Sequence, residues 1–327
     1  SQAAPLHLVF PSRVSNWHPK TGRRDDVVMA GLVPAIHVLF HCGDDVDGRH
    51  RAGHDELKGN PVTMKLDHAR DVLARANRMI AHEGVLDAFG HVTMRHPTDP
   101  GRYLMSRSRA PELVQPDDIL EFTLDSQSVK PTDVRLYGER VIHGTIYQTR
   151  PDVNAVCHHH APSILPFCIS GAELKPVYHL GATLGEKVPF WDARDDFGDT
   201  TLIVAKPEEG ASLARALGAS WIVLMRRHGA TVAGRTLEEL TFRTIYTARN
   251  AALQIQAHTL GHVSPLNAAE TELAGEYNLR PGPVARAWEY WNVRLDKAEG
   301  TWRPKRANPR PKKKSPPKRK TKRRRQG

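Results

Sequence analysis

Two short apolar runs that each end near histidine constrain what this chain can fold into. One run leads into three consecutive histidines, and the other lies just before His228. Short apolar runs bounded by polar residues are typical of buried strands, whose alternate residues point to opposite faces. We therefore expect His158 and His160 to share one face of a strand, while His159 points to the other.

These histidines, together with one carboxylate, have the composition of a metal site. Glu139 lies nineteen residues before His158, and three imidazoles with one carboxylate can bind a divalent cation and leave room for a substrate. The alternative is a histidine-rich surface loop that binds nothing, because the chain has 18 histidines and a single His-x-His is common. Spacing alone leaves both interpretations open.

Hydrophobic periodicity predicts helices that alternate with short strands. Helices are predicted for residues 66–85, 137–150, 208–217 and 283–297, and one more runs from a Thr236/Glu239 capping box to residue 260. Strands are predicted for residues 91–95, 103–106, 119–123, 155–158, 201–205, 221–226 and 230–233. This alternation, with several adjacent strands, predicts α/β layers.

The two ends of the chain differ in composition from its centre, which predicts three segments. Residues 1–62 lack sustained periodicity, so we expect little stable structure there. Residues 303–327 carry 14 Lys and Arg and no acid, and subtracting them from the net charge of +11 leaves −3. We expect a catalytic body at residues 63–302 and a disordered basic tail at residues 303–327.

The N-terminal extension has two possible origins. Residues 24–39 resemble a translated genomic repeat, so the extension is either upstream read-through before Met64 or an arm that packs on a neighbouring subunit. The apolar run at residues 27–42 is too short and too interrupted to cross a membrane. Three cysteines do not suggest a disulfide framework, and a reducing cytoplasm is expected.

The motifs around the histidines resemble the class II aldolase/adducin family. Within residues 66–260 the chain contains, in this order, Glu139, a helix, Arg-Pro-Asp, a strand, His-x-His and a later His-Gly. The resemblance implies a three-layer α/β/α fold with a mainly antiparallel central sheet, usually as a homotetramer with sites at subunit interfaces. It also implies that His158, His160 and His228 bind one divalent metal ion, Zn²⁺ or Mn²⁺.

The same resemblance gives Glu139 a role, either as a fourth ligand or as the group that transfers a proton. His143 lies one helical turn after Glu139, where it either belongs to the site or orients that carboxylate, and we expect the second. The alternative for Glu139 is an ordinary solvated helix residue.

The substrate class is predicted from segments in which this chain differs from the sugar-phosphate enzymes of the family. Where sugar-phosphate enzymes carry small polar phosphate-binding segments, this chain has Phe89-Gly90-His91, Ser106-Arg107-Ser108-Arg109 and Tyr137-Gly138. This version resembles the decarboxylase branch, which includes 3-hydroxy-2-methylpyridine-4,5-dicarboxylate and dihydroxyphthalate decarboxylases. The resemblance implies a small carboxylate substrate, and the expected substrate-binding residues are His91, Ser106, Arg107, Tyr178 and His179.

Alternatives stay open for single residues and for the whole protein. Arg107 and Arg109 could equally be solvated surface residues without a function. Tyr178 and His179 could equally be a hydrogen-bonded pair in the core that does not line the pocket. The reaction could be aldol cleavage of a non-phosphorylated hydroxy-acid or of a sugar phosphate. An adducin-like binding module is a third possibility, because the basic tail can contact nucleic acid or anionic surfaces through charge alone.

Overall fold

The computed structural model describes residues 64–303 of the chain. Its helices are α1 Leu66–His82, α2 Arg140–Thr149, α3 Leu165–Ser170, α4 Ala193–Phe197, α5 Pro207–Leu217, α6 Leu237–Leu260, α7 Ala268–Asn278 and α8 Pro281–Ala298. Its strands are β1 His91–Arg95, β2 Arg102–Ser106, β3 Ile119–Thr123, β4 Ala155–His159, β5 Phe190–Trp191, β6 Ile222–Met225 and β7 Gly229–Gly234. The predicted N-terminal extension, and all of the predicted tail except Arg303, lie outside the described residues.

These strands form one seven-stranded sheet in the order β3-β2-β1-β4-β7-β6-β5. All neighbours are antiparallel except β5, which pairs in parallel with β6. The expectation of a mainly antiparallel sheet is confirmed. The order also places β4, which carries the consecutive histidines, at the centre of the sheet between β1 and β7.

Alternate strand residues build a hydrophobic core on each face of this sheet. On one face, Val92 and Cys157 pack with side chains of α1, α6 and α8. On the other face, Met105 and Val156 pack with side chains of α2 and α5. Helices on both faces of a sheet give the expected α/β/α layers. Cys157 points into the first core, as strand alternation predicts, and its thiol is free.

Local signals explain where the two helices nearest the site begin and end. α2 starts directly after Glu139 and stops before Pro151, which disfavours helical geometry in the residue that precedes it. α6 is capped by Thr236, whose hydroxyl accepts a hydrogen bond from the Glu239 N–H at 3.1 Å. Both boundaries agree with the predicted ones to within a few residues.

One predicted strand, residues 201–205, is wrong. Leu202 in this segment has a φ of 67°, a left-handed conformation that a strand does not accommodate. The short strand β5 and the helix α7 were not predicted. The buried residues of α7 are Thr271, Gly275 and Asn278, so the helix has no apolar stripe for a periodicity argument to detect.

Within residues 64–303, no helix is long and apolar enough to cross a membrane.

Candidate metal centre

Strand β4 presents its consecutive histidines to both faces of the sheet. His158 pairs with His91 of β1 on one side and with Thr231 of β7 on the other, so these three residues lie in one row across the sheet. The ring of His158 faces the same side as Val156, towards α2 and α5. His160 follows the end of β4, and its Nε2 lies 3.0 Å from Nε2 of His158.

The hairpin between β6 and β7 brings His228 to the same place. Arg227 in this turn has a φ of 54°. At Gly229, a Cβ would lie 2.3 Å from the carbonyl oxygen of His159 and 2.9 Å from Cδ2 of His160. Only glycine therefore fits where the hairpin meets the end of β4. The close approach lets the rings of His160 and His228 stack with their centroids 5.0 Å apart.

Glu139 reaches the histidines from the start of α2. Its carboxylate lies 3.3 Å from Nε2 of His228 and 3.6 Å from Nε2 of His158. The backbone N–H of Val204 donates a hydrogen bond to Oε1 of Glu139 at 3.3 Å, which orients the carboxylate. The segment wrongly predicted as a strand thus contributes a backbone donor to this site.

The geometry of the four side chains fits a divalent cation. The ligand atoms of Glu139, His158, His160 and His228 all lie within 4.8 Å of one another. A metal ion with bonds of about 2.0–2.1 Å holds neighbouring ligand atoms about 3 Å apart. Nδ1 of His158 is 3.2 Å from the hydroxyl of Thr231, and such outer partners hold a metal-binding imidazole in place. These residues therefore form a possible metal site of three nitrogens and one carboxylate.

Burial keeps the three imidazoles of this site uncharged. Burial is the largest cause that lowers the pKa of His158 and of His228; neighbouring histidines lower both further, while Glu139 opposes the shift at His228. The pKa of His160 is also lowered by burial, with Asp87 opposing the shift. Neutral imidazoles offer the lone pairs that a metal ion requires.

The carboxyl of Glu139 shifts in the opposite direction. Burial raises its pKa above the usual value, while His228 and the Val204 N–H oppose the shift. A carboxyl group with a raised pKa exchanges its proton more readily near neutral pH.

His159 lies outside this group, as strand alternation predicts. It is fully buried, and its Nδ1 accepts a hydrogen bond from the Ala161 N–H at 3.3 Å. Burial lowers its pKa to about 3, so the ring is neutral. Its ring is therefore enclosed on the side of β4 opposite to His158.

His91 borders the metal-site residues. Its Nε2 is 3.9 Å from Oε2 of Glu139, and its ring centroid is 5.3 Å from that of His158. The ring of Tyr137 packs against it at 4.6 Å. His91 is therefore a buried neighbour of the metal-site side chains.

His143 does not orient Glu139, so that prediction is wrong. Its Nε2 lies 2.7 Å from Nδ1 of His91, and its Nδ1 lies 2.8 Å from the hydroxyl of Thr93. The reason is helical geometry. His143 lies on the buried face of α2 against β1, whereas Glu139 precedes the first turn of α2 and turns towards β4 and β7.

Arg107 and Arg109 converge on one carboxylate. Nε of Arg107 donates to Asp118 at 2.6 Å, and a terminal nitrogen of Arg109 lies 3.4 Å from the same oxygen. The hydroxyl of Tyr137 donates to the carbonyl oxygen of Arg109, which connects this pair to the ring beside His91. Buried Ser106 has no hydrogen-bond partner for its hydroxyl within the described residues.

Tyr178 and His179 lie in another part of the structure. His179 lines a cavity of about 400 Å³ between α6, α7 and α8, together with Phe242 and Tyr277. Across residues 64–303, no hydrogen bond, ion pair or ring contact joins either residue to the metal-site side chains. The predicted substrate-binding pair is therefore not brought to the metal site within one chain.

Three residues that contact the predicted site residues are not themselves predicted from the sequence. Tyr137 enters the sequence argument only as a departure from the family pattern, although its ring packs on His91. Thr93 stands two residues after His91 on β1, so strand alternation could have placed both on one face. Asp118 gave no signal, because its pairing with Arg107 depends on the register of β2 with β3, in which Ser106 stands opposite Ile119.

Comparison with known proteins identifies the family. The model described as Class II Aldolase and Adducin N-terminal domain matches residues 71–255. The chain belongs to this family. Its site therefore lies in a lyase domain of a kind that typically uses a divalent metal ion, in agreement with the four convergent side chains.

Individual relatives carry lyase names. Decarboxylase tropJ of Talaromyces stipitatus is 36% identical over 231 residues, which cover 63% of this chain and 86% of that protein. A 3,4-dihydroxyphthalate decarboxylase of Arthrobacter keyseri is 25% identical over 250 residues, which cover 70% and 95%. An aldolase II superfamily protein from Pseudomonas syringae shares the fold with a TM-score of 0.62 at 20% identity, covering 72% of this chain and 95% of that one.

Proposed function

We propose that this protein is a divalent-metal-dependent decarboxylase of a small hydroxylated aromatic or heteroaromatic carboxylic acid. The observation that carries the proposal is one continuous group of side chains. Three neutral imidazoles and Glu139 converge, and His91 and Tyr137 connect them to an arginine pair. The decarboxylase names of two relatives support this reaction over others in the family.

Under this proposal, His158, His160 and His228 hold one Zn²⁺ or Mn²⁺ ion through their Nε2 atoms. Both metals accept imidazole nitrogen together with carboxylate oxygen. When bound, such an ion supplies Lewis acidity, which stabilises negative charge on an oxygen next to the carbon that loses CO₂. Thr231 holds the ring of His158 from behind, and Gly229 permits the approach of His228.

We assign proton transfer to Glu139. When the bond to the carboxylate breaks, the electron pair remains on the substrate carbon, which then takes a proton. Burial raises the pKa of Glu139, which brings its proton exchange closer to neutral pH. The Val204 N–H keeps the carboxyl group in place.

We assign binding of a substrate carboxylate to Arg107. Its Nε is held by Asp118, which fixes the plane of the guanidinium and leaves its terminal nitrogens as donors. The side chain is partly exposed, at 35%, and is therefore accessible to a ligand. An arginine held in this way suits a planar carboxylate better than a sugar hydroxyl.

The test is release of CO₂ from a panel of hydroxylated aromatic acids by the purified protein loaded with Zn²⁺ or Mn²⁺. Glu139→Gln should keep the fold and lower kcat by ~10²–10⁴-fold, the usual contribution of a positioned acid or base to the rate. Glu112→Gln, on an exposed carboxylate of the same chain, serves as the matched control. Turnover of a sugar phosphate, with no CO₂ from any acid in the panel, would return the protein to the aldolase branch.

The same assay tests Arg107. Arg107→Ala should mainly raise KM and leave kcat within a small factor, because a uniform binding contact is lost. Arg135→Ala, which removes an exposed arginine, should change neither constant. A fall in kcat at unchanged KM would show that Arg107 acts in the reaction step rather than in binding.

A further inference from the structure

A buried chain of hydrogen bonds leads from the core to His91. Nδ1 of His91 lies 2.7 Å from Nε2 of His143, and Nδ1 of His143 lies 2.8 Å from the hydroxyl of Thr93. The hydroxyl of Thr93 is in turn 2.8 Å from that of Tyr147. All four side chains are at most 2% exposed, so water does not compete for these contacts.

Two regular elements produce this chain of contacts. His91 and Thr93 are two residues apart on β1 and point to one face, while His143 and Tyr147 are four residues apart on α2. The ring of His143 inserts between the two strand side chains. The packing of α2 on the sheet therefore keeps these four side chains aligned with one another.

The donor direction along the chain follows from counting protons. Burial lowers the pKa of His143 to about 3, so its ring is neutral and carries a single N–H. If that proton is on Nε2, then His143 donates to His91 and accepts from the Thr93 hydroxyl. Thr93 then accepts from Tyr147, and every group in the chain is satisfied.

The opposite direction is less favourable at the His91 end. Thr93 would then donate either to the Tyr147 hydroxyl at 2.8 Å or to the Val156 carbonyl at 3.4 Å, so its end of the chain admits both directions. His91 would carry its proton on Nδ1 and would direct the lone pair of Nε2 at the Glu139 carboxylate, 3.9 Å away. Two electron-rich atoms facing each other in a buried site repel.

We infer that Tyr147, Thr93 and His143 hold His91 in the tautomer with its proton on Nε2, so that His91 offers an N–H donor beside Glu139. His91 then recognises an anionic oxygen of the bound molecule, and the other three are positioning residues. The proposed function identifies this oxygen as part of the substrate's carboxylate. The tautomer itself follows from the chain of contacts together with the Glu139 carboxylate that faces Nε2, and it requires no substrate.

The test is solid-state nitrogen NMR of the full-length protein with ¹⁵N-labelled histidine, loaded with Zn²⁺ and without substrate. The signals of His91 are those lost in His91→Gln. In the wild type, His91 should show a protonated Nε2 and an unprotonated Nδ1. Thr93→Val keeps the branched shape and removes the hydroxyl, so it should give a mixture of tautomers at His91, whereas Thr93→Ser should retain the wild-type pattern.

A second readout separates positioning from general damage to the site. The Zn²⁺ affinity of Thr93→Val should stay within about twofold of wild type, because His91 is not among the metal-binding residues. A proton on Nδ1 of His91 in the wild type would overturn the inference. So would an identical His91 pattern in Thr93→Val, or a loss of Zn²⁺ affinity in His91→Gln.

These measurements require no turnover. Absence of CO₂ release combined with the Nε2-protonated pattern would overturn the proposed reaction and leave the role of the chain of contacts intact. Release of CO₂ combined with a proton on Nδ1 of His91 would leave the decarboxylase assignment intact and would overturn the role of His91 as a fixed donor.

Discussion

At the scale of single residues, three adjacent histidines lie in two different environments because a strand alternates. The rings of His158 and His160 meet over one face of the sheet with 3.0 Å between their Nε2 atoms. His159 points to the opposite side and is fully buried. His158 and His159 are adjacent and identical, yet their environments differ. His158 and His160 are two positions apart and share one side of the sheet.

This contrast gives a residue-level prediction. His158→Gln should lower Zn²⁺ affinity by more than the ~10–100-fold that loss of an outer partner of a ligand usually causes, because a ligand itself is removed. His159→Gln should leave the affinity close to that of the wild type. Titration of the metal-free proteins with Zn²⁺ in the presence of a competing chelator measures both.

Thermal unfolding of the two metal-free variants provides the control, since both substitutions alter buried side chains. Equal loss of Zn²⁺ affinity in both variants, at similar stability, would contradict the division between the two faces of β4.

At the scale of elements, the site depends on the close approach of two backbones. The β6–β7 hairpin carries His228, and β4 carries its partners. At Gly229 there is no room for a side chain against the carbonyl of His159. A second glycine, Gly90, has a φ of 89° and would place a Cβ 2.8 Å from the carbonyl of His158. The end of β4 is therefore enclosed by backbone on two sides.

We predict that Gly229→Ala displaces the hairpin from β4. The added methyl group would force a backbone shift costing about 1–3 kcal/mol of stability, as overpacking usually does. Because the shift moves His228 relative to His160, Zn²⁺ affinity should fall as well. Gly282→Ala is the matched control, since nothing lies within 4 Å of a Cβ built there.

Thermal unfolding and Zn²⁺ titration measure the two effects separately. A Gly229→Ala protein that loses stability but binds Zn²⁺ like the wild type would show that the approach of the two backbones serves packing alone.

At the scale of the whole molecule, the side chains proposed for chemistry all lie within the described residues. The match to the family model, residues 71–255, also falls inside this range. The two ends, residues 1–62 and 303–327, differ from it in composition and charge. The homotetramer implied by the family resemblance stays a prediction.

We predict that a chain of residues 63–302 folds, binds Zn²⁺ and keeps the activity of the full-length protein. The reason is that neither end has the periodic apolar content that a core requires. Soluble yield, thermal unfolding, light scattering and CO₂ release from the full-length and shortened proteins provide the comparison. Loss of soluble protein after deletion of residues 1–62 alone would instead support an arm that packs on a neighbouring subunit.

Much of the sheet could be predicted from the sequence because its signals are local. The runs that became β1, β2, β3, β4, β6 and β7 alternate or are continuously apolar over four to six residues. Segment 201–205 has the same composition, yet the left-handed Leu202 and the contact to Glu139 make it a loop. The preference of a short apolar run for a strand was outweighed there by a tertiary contact.

The sequence by itself determined which residues could bind a metal, and on which face of β4 each histidine lies. Strand periodicity is a property of neighbouring residues and does not depend on the rest of the fold. Only the tertiary structure decided that His143 serves His91 rather than Glu139, that Arg107 is held by Asp118, and that Tyr178 and His179 lie elsewhere. The outcomes for His143, Tyr178 and His179 depend on how elements far apart in the chain pack together, whereas the Arg107–Asp118 pair depends on the register of β2 with β3.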